Sequence, residues 1–186
     1  VHPKLITQLM KKITIYSTLL ITIISLFAFK NSILNTELVK IQGGTFKMGS
    51  KDSDGLADVD EQKEHSVNLT TFEISKFEVT VWEWKQFIKA NKMKMPAKPT
   101  WGWQDNHPIN GVTWNEAIAY CNWLSKKEKL QPAYSKKGPN FICNFKANGY
   151  RLPTEAEWEF AAKGGTVSKG FKYCGSNSLD DIAWHK

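Results

Sequence analysis

The feature that most constrains this chain is one local motif written three times. Thr80-Val-Trp-Glu83, Thr113-Trp-Asn-Glu116 and Thr154-Glu-Ala-Glu157 each place a glutamate three residues after a threonine. At that spacing the hydroxyl takes a backbone amide of the first helical turn, and the carboxylate reaches back to the threonine's own amide. Each motif therefore predicts a helix start, stabilised by about 1 kcal/mol. Apolar residues follow at helical spacing: Val81, Trp84 and Ile88; Trp114, Ala117, Ile118, Cys121 and Leu124; Trp158, Ala161 and Ala162. Gly164-Gly165 is the expected stop of the third helix.

Before the first helix the pattern is that of short strands. Val39-Lys-Ile41 and Phe46-Lys-Met48 flank Gly43-Gly44, reading as strand, glycine turn and strand. Val67-Asn-Leu69 and Phe72-Glu-Ile74 read as a second short strand pair, and the polar, acidic stretch from Lys51 to Glu64 as a surface loop. Gln131 to Asn148, with Pro132 and Pro139, reads as a long excursion between the second and third helices. The expected architecture is α+β, with short strands, about three helices and much irregular structure.

The first 30 residues differ from the rest. Met10-Lys11-Lys12 precedes an apolar run from Ile13 to Phe29 that ends at Lys30. A basic start followed by such a run has the form of a secretory leader, with Met10 as its natural start and Val1 to Leu9 as upstream readthrough. No clear small-residue cleavage site follows, so the leader is either a cleaved signal or an uncleaved N-terminal anchor. The expected location is outside the cytoplasm: periplasmic, secreted or anchored, with membrane contact only through residues 1–30. Residues 38–186 form the folded domain.

The formal charge of +7 invites a nucleic-acid reading, but four of the 25 basic residues lie in the leader. The other 21 exceed the 18 acids by only three, are scattered, and include a single arginine, Arg151. Phosphate and base readers rely on arginine forks, so no nucleic-acid partner is expected.

Four blocks, in order, resemble the sulfatase-modifying-factor (formylglycine-generating-enzyme) family. They are Val39-Lys-Ile-Gln-Gly-Gly-Thr-Phe-Lys-Met-Gly-Ser50; Lys76-Phe-Glu-Val-Thr80 with Phe87; His107-Pro-Ile-Asn-Gly-Val-Thr-Trp114 with Ala119-Tyr-Cys-Asn-Trp-Leu124; and Gly149-Tyr-Arg-Leu-Pro-Thr-Glu-Ala-Glu-Trp-Glu159 with Ala161-Ala-Lys-Gly-Gly165. The resemblance implies that family's fold, related to C-type lectins. It also implies, for a full-length enzyme, a copper-binding cysteine pair that uses oxygen to convert a sulfatase cysteine to formylglycine, together with structural calcium. In the family these cysteines lie beyond a segment like Leu179-Asp-Asp-Ile-Ala-Trp184. The 186 residues are thus expected to be the N-terminal part of such a domain, with no catalytic, cofactor-binding or metal residue assigned in it. Ile182 and Ala183 fall near where the first calcium ligands would begin. The implied partner is a sulfatase-type polypeptide. The alternative is a non-catalytic protein using the same scaffold for envelope or surface interactions.

The remaining chemistry-bearing residues read as structural. Cys121 falls on the inward face of its helix, as a buried thiol would. Cys143 and Cys174 flank the third helix and could pair in an oxidising compartment, but three cysteines allow three pairings and the sequence selects none. Asp52-Ser-Asp-Gly55 with Asp58, Asp60 and Glu61 lacks the glycine and glutamate positions of a calcium-binding loop and reads as a solvated acidic loop. His65 and His107 read as hydrogen-bonding loop residues, and Arg151 as the salt-bridge partner of Glu155, Glu157 or Glu159.

Overall fold

A computed structural model describes residues 37–50 and 63–182. The leader, the acidic residues 52–61 and Ala183 lie outside the described residues. In chain order the elements are β1 (Leu38–Ile41), β2 (Gly44–Met48), β3 (His65–Leu69), β4 (Phe72–Ser75), α1 (Val81–Asn91), α2 (Trp114–Lys127), β5 (Tyr134–Lys137), β6 (Asn140–Cys143) and α3 (Glu155–Ala162), followed by single 3-10 turns at Gly165–Val167 and Leu179–Asp181.

All three expected helix starts form as capping boxes. Thr80, Thr113 and Thr154 sit in extended backbone as N-caps of α1, α2 and α3. At α1 the Glu83 amide donates to Thr80 Oγ1 (3.3 Å) and the Thr80 amide donates to Glu83 Oε2 (2.8 Å). The other two boxes repeat that exchange. Gly164, at φ 92°, ends α3 where the glycine pair predicted a stop.

The first four strands exist, but their pairing corrects the expectation. β1 does not turn back on β2, nor β3 on β4. β1 pairs with β4 and β2 with β3, both antiparallel, and the register carries through from Ile41↔Phe72 to Gly44↔Leu69. The result is one long two-stranded ribbon with an interruption, not two hairpins. Gly43 marks the interruption. Its amide donates to Thr71 Oγ1 (3.1 Å), and a Cβ there would lie 2.5 Å from the Leu69 carbonyl oxygen. Only glycine permits the two chains to cross so closely.

A second correction concerns Gln131 to Asn148, which is not wholly irregular. It holds the hairpin β5–β6, in register from Tyr134↔Cys143 to Lys137↔Asn140, turning at Gly138 with φ 61°. A third concerns two tryptophans that fall at the apolar, helically spaced positions. Trp114 and Trp158 are 54% and 61% exposed. In α3 the buried positions are Glu157 and Phe160, so that helix is rotated away from the phase its tryptophan suggested.

The core has two lobes that share α2. In one, Trp84 and Phe87 of α1 meet Tyr120 and Trp123 of α2, with ring centroids 5.0–5.6 Å apart. In the other, Ile118 and Cys121 of α2 pack with Ala133 and Tyr134, and Cys143, Ala147, Tyr150 and Leu152 close over them. Phe160 of α3 meets Phe46 of the ribbon at 5.0 Å. Aromatic rings fill the space between short elements.

Candidate functional site

Among the described residues, Gly149 to Glu157, the block that leads into α3, is tightly held. Gly149 runs so close to α2 that a Cβ would fall 2.1 Å from the Gln131 carbonyl oxygen and 2.6 Å from Ser125 Oγ. Ser125 is fully buried; its hydroxyl donates to the Cys121 carbonyl (2.7 Å) and accepts from the Tyr150 amide (2.8 Å). The Leu152 amide donates to the Tyr134 hydroxyl (3.0 Å). The Tyr150 and Leu152 amides are thereby satisfied by α2 and by the hairpin, as burial requires.

Arg151 completes the lock. Its Nη1 and Nη2 donate to Glu157 Oε2 and Oε1, both at 2.6 Å, and Nη1 also donates to the Leu152 carbonyl (3.1 Å). The guanidinium lies over the Phe145 ring at 4.9 Å. Of the three glutamates considered as partners, the structure selects Glu157. Glu159 instead accepts from the Gly49 amide and from Lys163. Burial works against the Glu157 carboxylate, but hydrogen bonds from Arg151 and Thr154 outweigh it and hold its pKa below the usual range. The Glu157 hydrogen bond correspondingly raises the pKa of Arg151. Glu157 is therefore both the return arm of the α3 capping box and half of a bidentate ion pair.

Around this lock the rings of Trp114, Tyr134 and Phe141 form a partly exposed face, with centroid distances of 6.1 and 6.2 Å from Trp114. Phe145 and Trp158 are 64% and 61% exposed. Such rings suit burial against an apolar partner, whereas the guanidinium is fully engaged in structure.

The Cys121 thiol offers little nucleophilic chemistry in this state. Burial, first of all, pushes the Cys121 thiol up to about 12, so it stays protonated near neutrality. Cys121, Cys143 and Cys174 are all free; Cys143 packs beside Cys121 rather than joining Cys174, and Cys174 is exposed. Among the described residues no group of three or more His, Cys, Asp or Glu side chains converges on a metal position. The two thiols brought together, Cys121 and Cys143, include one that is buried and stays protonated, which does not suit a thiolate copper site. The Ser176 hydroxyl donates to Asp181 Oδ2 (2.8 Å). His65 Nδ1 faces the Lys63 carbonyl (3.2 Å), and His107 contributes its backbone carbonyl to the Val81 amide (2.8 Å). His65 opens β3 instead of lying in a loop, and the bond at His107 is made by its backbone, not its ring.

Residues 26–186 match the sulfatase-modifying factor enzyme 1-like domain. Similar proteins include the chaperone protein LppX of Paenibacillus barcinonensis, 38% identical over 170 residues, covering 83% of this chain and 55% of that protein. The formylglycine-generating enzyme of Thermomonospora curvata is 27% identical over 172 residues, covering 69% of this chain and 49% of that enzyme. Among solved structures, CarF superposes with a TM-score of 0.60 at 27% identity, over 81% of this chain and 66% of that one. Treponema denticola variable protein 1 gives 0.60 at 29% identity, over 78% and 58%. The chain spans about half the length of the curated relatives it matches. With its α+β order of short strands and three capped helices, the chain belongs to the sulfatase-modifying factor enzyme 1-like domain family.

Proposed function

We propose that the whole protein is an exported member of this family that acts on a polypeptide, oxidising a sulfatase-type cysteine to formylglycine, and that the residues described here supply its scaffold. The observation that carries this reading is the family match over residues 26–186, accompanied by relatives named formylglycine-generating enzymes at 27% and 26% identity. The Gly149 to Glu157 lock supports the scaffold role. It engages Arg151, Glu157 and Ser125 in holding α2, the hairpin and α3 together, leaving none of them a reacting partner. In this reading the copper-binding cysteines, the calcium ligands and the lectin-related remainder of the fold come from sequence beyond these residues. Export rests on Lys11-Lys12 and the apolar run from Ile13 to Phe29.

A second reading is a non-catalytic scaffold for envelope or surface proteins. It is favoured by the 38% identity to a protein named as a chaperone and by a 25% identical bovine relative named inactive. One assay separates the two. The product of the complete reading frame is incubated with a sulfatase-motif cysteine peptide, copper and oxygen, and the peptide is weighed by mass spectrometry. Conversion of the cysteine to an aldehyde supports the oxidase. Retention of the unmodified peptide, with no aldehyde, supports the scaffold. A fusion of residues 10–50 to a reporter active only outside the cytoplasm tests export; a well-expressed but silent fusion overturns it.

A further inference from the structure

Two of the three cysteines, remote in sequence, are brought to one face of the core by contacts that do not involve sulfur. Asn122, next to Cys121 on α2, clamps the backbone of Tyr134: its Nδ2 donates to the Tyr134 carbonyl (2.8 Å), and its Oδ1 accepts from the Tyr134 amide (3.0 Å). Tyr134 is in turn the cross-strand partner of Cys143. Opposed residues of an antiparallel pair put their side chains on the same face, so Cys143 faces inward with the Tyr134 ring. Cys121 and Tyr134 belong to one buried cluster with Ile118 and Ala133, and Cys143 packs on that cluster. Cys174 is not part of it and is exposed.

We propose that Cys121 and Cys143 are a disulfide-forming pair that, on meeting a low-molecular-weight disulfide, joins α2 covalently to the β5–β6 hairpin. The partly exposed Cys143 reacts first. Its sulfur attacks the external disulfide, forming a mixed disulfide and releasing one small thiol. Cys121 then attacks the Cys143 sulfur, forming the internal bond and releasing the second small thiol. In sum, two protein thiols are oxidised and one external disulfide is reduced to two thiols. The order follows from burial, which keeps Cys121 protonated, so the inner thiol acts only once a mixed disulfide is held beside it. The new bond would fix a contact that Asn122 already holds in place.

The experiment uses the full chain, purified reduced and incubated with oxidised glutathione, once folded and once in urea. Remaining thiols are alkylated, the protein is digested without reduction, and cross-linked peptides are quantified. In an unfolded chain, loop closure favours the Cys121–Cys143 link over the Cys143–Cys174 link by only about twofold. The folded chain is expected to show the Cys121–Cys143 link in more than about tenfold excess, reflecting the proximity that folding imposes. The cross-link is expected to persist in Cys174→Ser and vanish in Cys143→Ser. A folded-state ratio no greater than that in urea, a dominant Cys143–Cys174 link, or Cys121 and Cys143 both recovered fully alkylated would overturn the proposal.

Discussion

Replacing Arg151 by methionine keeps most of the side chain's length and removes its charge, which isolates the ion pair from the packing. In the wild type both guanidinium nitrogens reach Glu157 at 2.6 Å, and the two side chains are only 23% and 11% exposed. Removing one partner of a buried pair costs about 3–5 kcal/mol; the partial exposure here places the loss near the bottom of that range, about 3 kcal/mol. For a chain of this length that corresponds to a fall in Tm of roughly 6–12 °C at pH 7. The sign of the pH dependence follows from Glu157. Its folded-state pKa is depressed, so its contribution is present above the unfolded value of about 4.3 and is lost as pH falls through the folded-state pKa. In Arg151→Met, burial acts on Glu157 with only Thr154 to oppose it. Glu157 then takes up a proton more readily, and the gap between variant and wild type narrows below about pH 4.3. Thermal unfolding followed by circular dichroism at pH 7 and pH 3.5 measures both effects. The double variant Arg151→Met/Glu157→Gln should recover part of the loss, because no buried charge is left unpaired. A shift of less than about 2 °C at neutral pH, below what even 1 kcal/mol would give, or a penalty independent of pH, would refute the reasoning.

Gly149→Ala should lower stability by about 2–4 kcal/mol, since its methyl group would meet the Gln131 carbonyl oxygen at 2.1 Å; an unchanged denaturation midpoint would contradict that geometry. Thr113→Ala should cost about 1 kcal/mol, the ordinary loss of an N-cap, as read from urea unfolding. Thr154→Ala should cost more, because the same carboxylate completes its capping box and grips Arg151; equal losses at the two caps would show that the box and the ion pair are not coupled. In the native reduced chain a maleimide should label Cys174 well before Cys121, which is 8% exposed with its thiol pushed up to about 12; rapid labelling of Cys121, checked by peptide mapping, would contradict its burial.

What the sequence disclosed follows from how local each interaction is. Thr80, Thr113 and Thr154 announce their helices because a capping box is complete within four residues, and each forms as written. The strands Val39–Ile41 and Phe72–Ile74 were equally visible, but their pairing depends on Gly43 passing against Leu69 and Thr71, a contact 28 residues apart in the chain. The β5–β6 hairpin was obscured because only its ends, Tyr134 and Cys143, turn inward while Lys136, Lys137 and Asn140 are exposed. The turn at Gly138-Pro139 was the signal available for it. Trp158 falls at an apolar, helically spaced position, yet Glu157 takes the buried place because Arg151 satisfies it. The salt bridge itself was legible as three candidate glutamates; choosing Glu157 required the three-dimensional course of residues 149–154.

The central claim is that these residues are scaffold and not catalyst, and one assay on the 186-residue chain meets it directly. The folded, reduced chain is supplied with copper, oxygen and a sulfatase-motif cysteine peptide, and the peptide is followed by mass spectrometry. The account predicts no aldehyde above a protein-free control, because Cys121 is buried and protonated and no metal-binding group converges among the described residues. Repeated turnover of the peptide, abolished by Cys121→Ser or Cys143→Ser, would contradict it.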